Sequence, residues 1–355
     1  MSSADKSSST KSPLSVQVIV LTGIFWAVAA LLFFLLFSVT PPGQPRPFWY
    51  SLGTLIFEAT SYFAAAILCL RNWRSPQIVS GRNVWLGIGL GMFSYFLGNL
   101  VFGYWELGLG QEPAISPADF FFVLTYIFLG WGMASAVFNR RLNLEIWQWG
   151  CVTVIAIVGI ALAAWISSGT PTALLESPAY AQTAPASPSP AKPPATKPSP
   201  AKPAVKASPA AAPSPKPAVP TASPSPTAAA EQKPELPAWA VETEKLLQPL
   251  KDPVNLFYLI CDVGLLILAT MLLLAFWGGR FSQSWRMIAA AAFCLYIADI
   301  WFKYADNRIT DYQSGSLPEV FWVFSGVLFA IGAALEFDIS SRSRSRTGGR
   351  RRAAG

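Results

Sequence analysis

Eight stretches of this chain stay apolar over about 20 residues, the length a helix needs to cross a bilayer. They lie at roughly 15–39, 47–70, 84–105, 117–139, 146–167, 254–278, 284–305 and 319–337. In hydrocarbon no water is available to a peptide N–H or C=O, so such segments must satisfy their own backbone, and a helix does so within one segment. The expected fold class is all-α, a polytopic membrane protein of eight transmembrane helices. Composition agrees, with 53% of residues hydrophobic and only 13% charged.

Positions 85–134 recur without a gap as positions 285–334. Trp85, Asn99, Phe102, Tyr104, Ser116, Asp119, Phe121, Gly132 and Ala134 fall opposite Trp285, Asp299, Phe302, Tyr304, Ser316, Glu319, Phe321, Gly332 and Ala334. Each half holds four spans, an even number, so two parallel four-helix repeats related by an axis along the membrane normal are expected. The halves read as 1–143 and 144–355, with 144–171 the first helix of the second repeat and 237–355 its remainder. The first spans align poorly, and Glu58 comes opposite Asp262 when the loop between differs by four residues.

Residues 172–236 are a run of Ala, Pro, Ser and Lys with nothing apolar to bury, which predicts a disordered, extended linker outside the membrane. It reads first as a passive connection between the halves, while its regular lysines suggest instead contact with an anionic cell-wall polymer or a protein partner. Residues 238–249, with Trp239, Val241, Leu246 and Leu247 beside Glu242, Glu244 and Lys245, predict a short interfacial helix. Ala179-Tyr180-Ala181 resembles a signal-peptidase site but lies more than ten residues beyond the fifth apolar run. The first span ends in Thr40-Pro41-Pro42 without a small-x-small site, and is read as an anchor.

Cytoplasmic loops concentrate Lys and Arg. Lys6 and Lys11, Arg71, Arg74 and Arg82, Arg140 and Arg141, Arg280 and Arg286, and the arginines after the eighth span all fall on one face. Glu106, Glu112, Asp119, Asp306, Asp311 and Glu319 fall on the other. Both termini are therefore expected in the cytoplasm and residues 168–253 outside, in a bacterial plasma or internal membrane. The long basic linker does not disturb this, because loops beyond about 60 residues translocate largely regardless of charge.

The chain has no histidine, which excludes bis-histidine haem, zinc-histidine sites and Ser-His-Asp catalysis. Cys69, Cys151, Cys261 and Cys294 sit in apolar runs without a Cys-x-x-Cys spacing and read as small buried hydrophobes. No metal or cofactor pattern emerges, no nucleophile and base can be paired, and no nucleic-acid partner is expected. Gly87, Gly89, Gly91 and Gly98, and Ala289 to Ala292, form small-residue faces for close helix packing. Trp105, Trp131, Trp147, Trp301 and Trp322 read mostly as interfacial anchors.

Ionisable groups inside a span are costly and default to functional candidates. Asp262, Asp299, Lys303 and Glu319 are expected to share the outer half of the second repeat, with Asp299 and Lys303 at an i,i+4 spacing suited to an ion pair. Glu58, Asn99, Glu106 and Asp119 mirror them in the first, where Asn99 replaces an acid and Gly103 takes the slot of Lys303. Asp119 and Glu319 can cap their helices by accepting backbone N–H groups. Asp262 lies well inside its span and is the first choice for a functional carboxylate. Arg342, Arg344, Arg346, Arg350, Arg351 and Arg352 are expected to bind anionic lipid, at about 1 kcal/mol each, or an acidic cytoplasmic protein.

The run Trp85…Gly98-Asn99…Phe102-x-Tyr104-Trp105-Glu106, followed by Ser116-Pro117-Ala118-Asp119-Phe120-Phe121-Phe122…Tyr126, resembles the polytopic N-terminal membrane regions of bacterial diguanylate cyclases and related signalling proteins. The second copy, with Gly315-Ser316-Leu317-Pro318-Glu319-Val320-Phe321-Trp322, looks like the same unit with Glu for Asp. The resemblance covers the third, fourth, seventh and eighth spans and implies a sensory membrane domain. Here an Arg/Ser tail follows the eighth span where those proteins carry a catalytic domain, so output is expected through a protein partner. The leading expectation is a non-enzymatic integral membrane sensor or scaffold responding to an envelope-side signal. Its rivals are a secondary transporter of a small solute or ion, against which paired helix breaks and unwound segments are missing, and an assembly factor or lipophilic-cofactor-binding membrane protein.

Overall fold

The computed structural model describes residues 15–41, 44–111, 113, 115–138, 145–168, 236–276, 282–309 and 312–353, the last eleven by backbone alone. The helices are α1 (Val16–Phe37), α2 (Phe48–Arg74), α3 (Arg82–Gly103), α4 (Ala118–Phe138), α5 (Ile146–Ser167), α6 (Ala238–Leu247), α7 (Lys251–Ala275), α8 (Ser282–Arg308) and α9 (Val320–Ala353). Among the described residues there is no strand, and eight helices, all but the short α6, are long and apolar enough to cross a membrane. The chain is a multi-pass integral membrane protein.

The helix starts follow local chemistry. Ser15 Oγ accepts the Val18 N–H at 3.3 Å to open α1, Pro47 stands at the N-cap of α2, and Glu145 and Gln148 form a reciprocal capping box on α5. Residues 238–249 are helical as expected: α6 runs through a 3-10 turn (Gln248–Leu250) straight into α7, and Trp239 packs edge-on against Trp105, ring centres 5.7 Å apart.

Within the first half α3 lies between α2 and α4, and within the second α8 lies between α7 and α9. The halves meet where α2 packs on α9 and where α4 packs on α7, contacts that the sequence offset makes counterparts of one another. Trp85 and Trp285, both fully buried, meet between them with ring centres 6.2 Å apart. Small residues set the spacing. A methyl group added at Gly87 would lie 2.7 Å from Gly132 Cα, one at Gly132 2.8 Å from Ile88 N, and one at Gly332 2.7 Å from Ile288 Cδ1.

The first helix of each half breaks this correspondence. α1 packs mainly on α9 through Ala30 and Phe34, whereas α5 packs on α7 and α8. Their outward faces, Leu21, Phe25 and Leu36 on α1 and Ile146, Val154 and Ile160 on α5, are exposed and apolar, as lipid contact requires.

Several expectations need correction. The eighth apolar run does not give way to a tail near residue 337, because α9 continues unbroken to Ala353. Its 34 residues span about 51 Å, well beyond a hydrocarbon core of about 30 Å. Cys151 is exposed on α5 rather than buried, and the four cysteines are free. Trp105 is buried at 3% exposure and Trp322 lines an internal cavity, so neither is a simple interfacial anchor. Residues 172–235 of the linker, Lys6, Lys11, Arg140, Arg141 and Arg280, and the side chains of Arg344, Arg346, Arg350, Arg351 and Arg352 lie outside the described residues.

At the end of the bundle that carries the arginines, buried polar groups lock α9 to the first half. Ser80 Oγ donates to Glu336 Oε1 at 2.7 Å and accepts Trp85 Nε1–H at 2.8 Å, and Asn72 Nδ2 donates to the Ala333 carbonyl at 2.8 Å. The Arg71 guanidinium lies 4.1 Å from the centre of the Phe337 ring. Glu336, fully buried, lies inside the eighth apolar run and by the rule for ionisable groups within a span belongs with the candidates, although the sequence reading passed over it.

Candidate functional site

The opposite end of the bundle holds the acidic groups, beginning with two matched helix entries. Ser116 N–H donates to Asp119 Oδ2 at 2.7 Å, and Ser316 N–H donates to Glu319 Oε1 at 3.0 Å. Both are S-x-x-D/E arrangements in which an acid in the first turn closes back on the residue that starts it. Glu319, 1% exposed, also accepts the Gly315 N–H at 2.6 Å, the Ser314 and Ser316 hydroxyls at 3.0 and 2.7 Å, and the Tyr312 hydroxyl. Gly315 needs its missing side chain here, with φ at 99° and its carbonyl taking Tyr50 O–H at 2.6 Å and Arg46 Nη1–H at 2.8 Å. Burial and the neighbouring Glu319 push the Tyr312 phenol above its ordinary value.

Deeper in, the paired positions of the two halves diverge. In the first half Asn99 Nδ2 donates to Glu58 Oε2 at 3.1 Å. In the second, Asp299 replaces the amide and has no proton to offer Asp262 when both acids are ionised. Tyr126, reaching over from α4, touches both, its hydroxyl 2.5 Å from Asp262 Oδ1 and 2.8 Å from Asp299 Oδ2. Trp322 Nε1–H completes Asp299 by donating to Oδ1 at 2.8 Å. A phenol has one proton, so both Tyr126 contacts are satisfied only when one carboxyl carries a proton of its own.

Lys303 corrects the expected Asp299 pairing. Its Nζ lies 3.9 Å from Asp262 Oδ2, donates to the Asn255 carbonyl at 3.3 Å and stands 5.1 Å from the centre of the Tyr258 ring. The side chain is drawn across to α7, while both oxygens of Asp299 are engaged by α4 and α9. With one shared proton, the two carboxyls and the ammonium sum to zero, the arrangement that least penalises charge at this depth.

These groups border a cavity of about 550 Å³. It is lined from both halves and follows α8 from Asp306 to Leu295, eleven residues or about 16 Å. Its walls include Phe102, Phe122, Phe302 and Trp322 and six acids, Glu58, Glu106, Asp119, Asp252, Asp299 and Asp306, against one cationic side chain, Lys303. Volume and apolar walls with a few converging polar groups suit a small organic ligand. Of the seven candidates, Glu58, Asn99, Asp119, Asp299 and Lys303 line it. Asp262 and Glu319 do not: the first is buried behind Lys303 and Tyr126, and the second is consumed by its cap. No group of three acidic or cysteine side chains among the described residues could hold a metal ion.

One irregularity was also missed. α3 ends in a π-helical turn, Tyr104–Gly108, that carries Glu106 on the cavity wall, whereas the matching stretch of α8 is regular. Such turns recur at functional sites. Tyr126, Tyr258 and Trp322 escaped notice as candidates because aromatic residues are common throughout. Their spacing to an acid was the available signal: Tyr126 follows Asp119 by seven residues, Tyr258 precedes Asp262 by four and Trp322 follows Glu319 by three.

At the other end, Arg342 Nε pairs with Asp338 Oδ2 at 2.9 Å on the surface of α9. An exposed i,i+4 pair of this kind contributes about 0.3–0.5 kcal/mol. Comparison of the chain with protein-family models, curated proteins and solved structures gave no match.

Proposed function

We propose that this protein is a non-enzymatic membrane sensor that receives a small ligand in the acidic cavity and passes the occupancy along α9 to a partner at the arginine end. The observation that carries this reading is the continuity of α9. One helix begins at the Glu319 cap, presents Trp322 to the cavity, and runs without a break to Ala353. A rigid helix bonded at one end to cavity groups and extending past the membrane at the other suits transmission. The resemblance to sensory membrane regions of diguanylate cyclases supports the same class, and the expected cytoplasmic termini would put the basic end of α9 beside a cytoplasmic protein or anionic lipid.

The test is a thermal-shift screen of small envelope metabolites on the protein in nanodiscs, followed by hydrogen exchange on any hit. A ligand that stabilises the native protein but not Asp299→Asn, and alters exchange over residues 338–353, supports the reading. A stabilising ligand that leaves those residues unchanged overturns it.

Transport is the second reading, favoured by the position of the cavity between two halves and by the π-helical turn at Tyr104–Gly108. Solute flux in proteoliposomes that disappears in Asp262→Asn or Asp299→Asn would establish it in place of sensing.

A further inference from the structure

We infer that the cavity takes a compact organic cation, with Glu58 as its counter-ion. This rests on the reading of the cavity as a ligand site and specifies what the ligand must be.

The two halves supply the comparison. Glu58, Asn99 and Gly103 occupy the places that Asp262, Asp299 and Lys303 hold in the second half. There the carboxylate has a resident cation, the Lys303 ammonium, held 3.9 Å from Asp262 Oδ2 and in front of the Tyr258 ring. Among the described residues the first half has no equivalent. Gly103 brings no side chain, and Leu55 closes against it, since a methyl group added there would lie 2.5 Å from Leu55 Cδ2. Glu58 Oε2 is taken by Asn99, but among the described residues Oε1 accepts no hydrogen bond and no cationic side chain stands within ion-pair distance. Glu58, Asn99 and Gly103 all line the cavity, beside Phe102 and Phe122. A carboxylate bonded to one amide, set beside aromatic rings and without a cation, is stabilised by a cation that arrives with its own apolar body and turns a charged face to the acid and an aromatic-compatible face to the rings.

Other ligand classes fit less well. An anion meets six acids against one lysine. A bare divalent cation needs a shell of oxygen ligands far smaller than 550 Å³, and no cluster of three acids among the described residues provides it. A neutral ligand offers Glu58 no opposite charge.

The experiment uses the full chain in nanodiscs and calorimetric titration with choline, with benzyltrimethylammonium, and with 3,3-dimethylbutan-1-ol, the neutral isostere of choline. The expected result is saturable binding of at least one of the two cations, at least tenfold weaker binding of the neutral alcohol than of choline, and at least tenfold loss of cation binding in Glu58→Gln. Equal binding of choline and its isostere overturns the inference while leaving a ligand-binding cavity, and so the sensor reading, standing. Failure of both cations to bind, or unchanged binding in a folded Glu58→Gln protein, also overturns it. The isostere comparison is made on the native chain, so the inference stays exposed to failure even if the variant does not fold.

Discussion

Tyr126 shows how one side chain decides the state of a buried site. Its hydroxyl is the only group of α4 bonded to both Asp262 and Asp299 among the described residues, so Tyr126→Phe leaves two facing acids without a shared donor. The expected cost is about 1–3 kcal/mol, read as a lowered unfolding temperature in detergent. Asp299→Asn restores the amide–acid pairing of the first half, and the double variant should lose less stability than the two single changes added together, by about 0.5–3 kcal/mol. Simple additivity would mean that Tyr126 does not couple the pair. Tyr312 gives a pH-dependent counterpart at the same scale. Its phenol is raised above the ordinary value of about 10 by burial and by Glu319, so it stays neutral in the fold. Its contribution to stability is complete below pH about 10, and is lost as pH climbs from there toward the folded value, because the unfolded phenol ionises first. Tyr312→Phe should flatten that alkaline fall in an unfolding titration by pH.

Among elements, α3 and α4 approach as closely as their glycines allow. Gly87→Ala and Gly132→Ala both force backbone apart, since the added methyl would lie under 3 Å from main-chain atoms of the facing helix. Each should lower stability by about 1–3 kcal/mol in a denaturation series, while Gly130→Ala, which meets nothing within 4 Å, should be tolerated. α9 is the element whose sequence and structure diverge most. Apolar periodicity ends near residue 337, yet the helix persists through Ser340, Ser341 and Arg342, supported by Ser341 Oγ donating to the Phe337 carbonyl at 2.7 Å and by the Asp338–Arg342 pair. Cysteine accessibility measured along 338–350 should therefore keep a period of 3.6 residues; a flat profile would show that the helix ends earlier.

For the whole molecule, the arginines at one end and the acids at the other predict opposite exposure of linker and terminus. In a chain cleared of native cysteines, a membrane-impermeant maleimide should label Ser187→Cys on intact cells and Arg351→Cys only after permeabilisation. Labelling of both from outside would break the assigned orientation. The two halves also share the cavity, so its charge belongs to their assembly: five of its six acids come from four different helices, none of which could collect them alone.

The apolar runs by themselves required eight membrane helices, because a backbone in lipid must satisfy its own hydrogen bonds, and the S-x-x-D/E signatures located the starts of α4 and α9 through local capping geometry. Local pattern also made Glu58, Asn99, Asp119, Asp299 and Lys303 candidates, since ionisable groups at such depth stand out. What those groups bond to depended on the packing of helices distant in sequence. An i,i+4 spacing offered Lys303 to Asp299, but the approach of α7 gave it Asp262, and the approach of α4 brought the Tyr126 hydroxyl onto both acids. Only that tertiary arrangement separated the carboxylates consumed by structure, Asp262 and Glu319, from Glu58, which faces the cavity without a cation of its own.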